Sequence, residues 1–99
     1  YPFSAGELRL NKDTIYLSQL KTKQQIVNMI NTGKKDISVT SILKPDYVEV
    51  DSTPFTIEKG MIGNLIIRYT GDPGTKFKPS DQIVIRTSQG ESFTFSLAN

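Results

Sequence analysis

"IVNMINTGKKDISV", residues 26–39, sets an Asn-Thr-Gly between two runs rich in β-branched residues. A hairpin here would keep both runs in one sheet. An arch would carry the chain from one sheet to another, and the choice separates a simple meander from a Greek-key sandwich. In a three-residue hairpin loop Gly33 would sit in the left-handed region and pairing would resume at Lys34. Lys34, Lys35 and Asp36 instead delay the next apolar residue to Ile37, a span better suited to crossing between sheets packed about 10 Å apart. Asn31 can bond its own following backbone as an Asx-turn, and Gly33 can supply φ > 0. The spacing favours the arch, with Asn31 and Gly33 as its turn residues and Gly33 at positive φ.

Working outward, period-2 alternation recurs along the chain. "NLIIRY" puts Leu65, Ile67 and Tyr69 on one face and Ile66 and Arg68 on the other. "QIVIRTS" sets Ile83 and Ile85 against Val84 and Arg86, and "ESFTFSL" sets Phe93, Phe95 and Leu97 against Thr94 and Ser96. Shorter pieces supply Leu8, Leu10, Ile15, Leu17, Ile37, Val39, Val48, Val50, Phe55 and Ile57. Gly, Pro, Asp and Ser punctuate these runs, as strands require. "LSQLKTKQQIVNMI" is the one stretch with helical promise, but its second half is β-branched and reads as a strand from about Lys23 to Ile30. The pattern predicts an all-β, Ig-like antiparallel sandwich with Greek-key connections and about seven to eight strands. Its core-facing set is Leu17, Val27, Met29, Val39, Leu65, Ile67, Tyr69, Ile83, Ile85, Phe93 and Phe95, with Phe55 and Phe77 plugging the ends.

Composition agrees with one globular domain over residues 1–99. Apolar residues make up 36% and charged residues 22%, too apolar and too weakly charged for a disordered chain. With no Cys, no disulfide or thiolate metal site can form. The net charge of +2 is spread over interleaved basic and acidic residues, a solvated surface rather than a nucleic-acid stripe. No apolar run approaches the roughly 20 residues of a membrane helix. The chain opens "YPFSAGELRL" without Met, which suggests a domain cut from a larger protein or a processed product.

Three segments together resemble a known family: "ELRLNKDTIYLSQLKTKQQIVNMINTGKKDISVTSI", "PFTIEKGMIGNLIIRY" and "KFKPSDQIVIRTS". They are similar to the Hydin-type Ig-like domain, also called the ASH domain, which is akin to the major sperm protein fold and has bacterial relatives of unknown function. Asn31, Thr32 and Gly33 match its Asn-x-Gly signature, Ile37 and Val39 its apolar pair, and Gly60 its turn. Leu65, Ile67 and Tyr69 match its long strand, and Gly74 with Phe77 its loop. The resemblance implies an arch after Asn31, a protein-interaction or structural role, and a periplasmic or cell-surface location. The Cys-Gly-Cys of many bacterial members is replaced here by "ILKPDYVEV", so any function of those cysteines is absent.

Chemistry finds little footing. The chain lacks His and Cys, the commonest general base and the readiest nucleophile. Asp46, Glu49 and Asp51 form no loop that could supply the six to eight oxygens of a calcium site, and they read as solvated charge on an edge strand. "GDPGTK" lacks P-loop spacing and context. The chain therefore reads as a non-catalytic module without metal or cofactor, whose partner is a protein or a neighbouring domain. If Met29 faces inward, Ile26 and Ile30 face out, and outward Ile66 would lie beside them in an Ig-like sheet. These three are the candidate partner patch. The alternative is a carbohydrate-binding or adhesin-like module using exposed loop aromatics, with Tyr47, after Pro45-Asp46, as its candidate contact.

Overall fold

A computed structural model of the chain describes residues 1–53, 56–74, 78 and 80–98. The alternation predicts strands, and strands dominate: β1 (Phe3–Ala5), β2 (Leu8–Leu10), β3 (Thr14–Tyr16), β4 (Gln25–Asn31), β5 (Ile37–Leu43), β6 (Val48–Thr53), β7 (Thr56–Ile57), β8 (Ile62–Tyr69), β9 (Gln82–Thr87) and β10 (Ser92–Ala98). One helical turn, α1 (Leu17–Leu20), interrupts them. It buries Leu17 and Leu20, so Leu17 reaches the core from a turn rather than from the strand its spacing with Ile15 suggests.

Two five-stranded sheets result, ordered β1-β2-β4-β8-β6 and β3-β10-β9-β5-β7. Strands β4 and β5 lie in different sheets, so residues 32–36 form the arch. Within the two sheets, β2-β4-β8-β6 faces β5-β9-β10, the A-B-E-D and C-F-G order of an Ig-type sandwich. Ten strands replace the expected seven to eight, because the two- and three-residue pieces β1, β3 and β7 each pair as strands of their own. The sheets are also not purely antiparallel, since β3 runs parallel to β10 with Leu97 opposite Ile15.

One core fills the space between the sheets, and Leu8, Leu10, Val27, Met29, Ile37, Leu65, Ile67, Ile83, Ile85 and Phe95 are fully buried in it. Each such side chain contributes about 1.5–3 kcal/mol by leaving water. Tyr69 and Phe93, expected in the core, are half-buried at its margin. Phe93 stacks between Phe95 and Phe3, with ring centroids 4.9 and 6.4 Å away. Phe55 and Phe77 lie outside the described residues.

Asn31 holds the arch. It is fully buried, and its amide donates to the carbonyls of Lys35 at 2.7 Å and Ile57 at 2.9 Å. Its Oδ1 accepts the Gly33 N–H at 2.9 Å, the Asx-turn the sequence allows. Its backbone bonds Met61 and Gly60, which fixes where β8 begins against β4. The positive φ expected at Gly33 does not occur; the glycines in that region are Gly6, Gly60 and Gly90. The Asx bond bends the chain without a left-handed residue. Close approach is what favours glycine at position 33, because a Cβ there would overlap the Glu7 carboxylate and lie 3.1 Å from the Glu7 Cβ.

Candidate functional site

The outer face of the β1-β2-β4-β8-β6 sheet is built around the two longest strands of that sheet. With Val27 and Met29 locked into the core, the pleat turns Ile26, Asn28 and Ile30 outward. Register places Ile26 opposite Ile66, Asn28 opposite Asn64, and Ile30 opposite Ile62. Two isoleucine pairs thus flank an asparagine pair. Ile26 is 41% and Ile62 56% exposed, while Ile30, Ile66, Asn28 and Asn64 are half-buried. Arg9 of β2 borders Ile30, and Asp51 of β6 borders Ile66. The charged residues therefore stand at diagonally opposite corners of the apolar block.

The structure brings Ile26 and Ile66 together as direct cross-strand partners and sets Ile30 one pair away. It adds Ile62, which the sequence reading leaves out. "MIGN" looks like the end of a turn because of its glycine, yet β8 already begins at Ile62, and Gly63 lies within the strand opposite Met29. The signal that could have found Ile62 is its period-4 spacing to Ile66 on the same face.

Acidic residues near this face are engaged. Asp51 pairs with Arg68 at 2.8 Å, and Glu49 lies 3.6 Å from Lys44. Strand β6, which carries both acids, is an edge of its sheet, so the charge also discourages edge-to-edge pairing. Among the described residues no cluster of acidic side chains is arranged to hold a metal ion.

Tyr47 sits elsewhere, at the end of the sandwich where β6 and β9 begin. It is half-buried and its hydroxyl donates to Asp81 at 2.7 Å. Burial first, and then the bond to Asp81, push the phenol above its ordinary range. The Tyr47 hydroxyl and the Lys78 N–H hold the Asp81 carboxyl below its own. The Tyr47 ring packs on Tyr69 at 6.1 Å and 53°, and the Tyr69 hydroxyl donates to the Asp72 carbonyl. Lys21 covers the Tyr69 ring at 5.5 Å and donates to the Pro73 carbonyl. These rings are tilted and anchored, which is the geometry of a loop tie rather than of a flat sugar platform. A more open ring is found instead at Tyr16, 47% exposed. It lines a cleft of about 340 Å³ with Phe3, Lys12, Asp13, Gln19 and Gln25.

Set against protein-family models, curated proteins and solved structures, the chain finds no match. The functional reading accordingly rests on the site.

Proposed function

We propose that this chain is a non-catalytic protein-interaction module, one unit of a larger protein, which engages a partner or neighbouring domain through the isoleucine face of β4 and β8. The observation that supports this is the gathering of Ile26, Ile66, Ile30 and Ile62 about a single asparagine pair on the outside of a sheet, where solvent-facing positions of an antiparallel sheet are ordinarily polar. Contiguous exposed apolar surface marks interaction sites more often than scattered single residues do. The resemblance to Hydin-type Ig-like domains supports the same role and carries the expectation of an extracytoplasmic location.

The test is the double variant Ile26→Lys with Ile66→Lys. It should remain folded, with a thermal midpoint within a few degrees of the parent. It should lose the self-association or partner capture that the parent shows by light scattering or pull-down. Unfolding would assign these positions to the core, and unchanged binding would reduce the patch to ordinary surface.

A second reading, carbohydrate binding, has its support at Tyr16 rather than Tyr47, because an open ring beside polar Gln19, Gln25 and Asp13 suits a sugar. A saturable quench of tyrosine emission on glycan titration, abolished by Tyr16→Ala, would favour it. A flat response favours the interaction module.

A further inference from the structure

We propose that the occupant of the isoleucine face is a second copy of this chain, docked face to face about a two-fold axis. The proposal rests on the reading of this face as an interface and names its partner. Three properties of the face make it self-complementary. The first is charge: Arg9 stands at the corner beside Ile30 and Asp51 at the opposite corner beside Ile66. A two-fold axis lying in the interface, through the centre of the block and perpendicular to the Arg9–Asp51 diagonal, exchanges those corners. It brings Arg9 of each copy over Asp51 of the other, so each cross-interface charge contact is made twice, as an isologous interface requires. Arg9 makes no side-chain hydrogen bond or ion pair among the described residues, and Asp51 uses one carboxylate oxygen on Arg68, leaving the other to accept.

The second property is the central amide pair. Asn28 and Asn64 lie in the middle of the block, where the axis passes. Each amide carries both donor and acceptor, so the pair can bond its own symmetry copy when water is expelled, and it opposes slippage much as a single buried Asn fixes coiled-coil register. The third is shape. The same axis crosses the strands of the two copies at nearly a right angle, one of the two preferred sheet-on-sheet geometries. It seats Ile30 of one copy beside Ile66 of the other.

Size sets the strength. The face is about 20 Å across its strands and about 24 Å along them at ordinary strand spacing and rise. Two such faces cover about 1,000 Å² in all, below the usual range for stable specific interfaces and within that of weak, transient ones, so the dimer is weak and concentration-dependent.

Sedimentation velocity on the intact chain, from micromolar to millimolar concentration, tests this. The parent should shift from monomer to dimer across that range. Arg9→Asp, which sets two acids against each other on each side of the axis, should weaken association by about tenfold or more. Combining it with Asp51→Arg should recover most of the loss, and Ile62→Lys should abolish the dimer. Circular dichroism of each variant separates lost association from lost fold. A parent that stays monomeric at millimolar concentration overturns the second-copy proposal, and loss of heterologous partner capture in the Ile26→Lys, Ile66→Lys variant would then still support the interface reading. A dimer indifferent to the Arg9 and Asp51 changes overturns the docking geometry.

Discussion

The two outer faces of this sandwich are made from the same backbone pattern and have opposite characters. On one, β4 and β8 present Ile26, Ile30, Ile62 and Ile66 around an asparagine pair. On the other, β10 presents Ser92, Thr94 and Ser96, with Arg86, Val84 and Gln82 of β9 opposite them, Thr14 of β3 beside Ser96, and Ser41 and the exposed Leu43 of β5 beyond Arg86 and Val84. Apart from the Leu43–Val84 pair, the second face does what an exposed antiparallel sheet ordinarily does: its short hydroxyl side chains keep β-propensity while remaining compatible with water. Folding alone is thus satisfied without outward isoleucine. The difference teaches that strand formation does not by itself call for four isoleucines on the first face, and burial against a partner, as proposed above, would be a physical use for them.

The largest test of that contrast lies between neighbours on one strand. Ile67 is fully buried and Ile66 half-exposed. Ile67→Ala should cost about 2–5 kcal/mol through a core cavity, whereas Ile66→Ala should cost about 1 kcal/mol or less in dilute solution. Chemical denaturation measures both, and equal losses would erase the distinction between inner and outer faces. Next in size is Asn31→Ala. It strands two carbonyls and an N–H that the side chain now satisfies, at about 2–3 kcal/mol. Because Asn31 also sets where β8 starts, cross-strand contacts between Ile30 and Ile62 in NMR spectra should broaden or vanish with it. Their persistence would show that the face does not depend on the arch.

The smallest effect concerns the tie between the sheets. Tyr47 leads into β6 of one sheet and Asp81 into β9 of the other, so their bond joins the two at one end. Asp81 is held below its ordinary 3.8, so it contributes stability that is present above that value and lost as the pH falls through the depressed one. Tyr47 is held above its ordinary 10.0, so its contribution is complete below that value and lost as the pH rises beyond it. Tyr47→Phe should therefore flatten the profile of thermal midpoint against pH at both extremes. A profile superimposable on the parent's would mean the bond carries no stability.

Much of the fold was legible because its signal is local. The alternation of Leu65, Ile67, Ile83, Ile85 and Phe95 states their faces outright, and Lys34-Lys35-Asp36 gives the arch its length. What escaped is what depends on distant chain. Gly33 meets Glu7, 26 residues earlier, and that contact, not a local φ, is what makes it crowded. Strand β3 pairs in parallel with β10 at the far end of the sequence, which the alternation of Ile15 and Leu17 does not reveal. Ile62 was hidden by Gly63, whose breaker reputation fails opposite Met29. At the candidate site, Ile26, Ile30 and Ile66 followed from parity alone, but the charged corners needed the register.

The parallel alignment of β3 and β10 has a mechanical meaning. Tension applied between the start of β3 and the end of β10 pulls the two strands lengthwise past each other. Hydrogen bonds between them then bear the load together, in shear. Across the antiparallel β9–β10 pair, a pull on the two free ends would instead open the bonds one after another. A unit joined in this way to neighbours on both sides would resist stretching through its one short parallel strand pair.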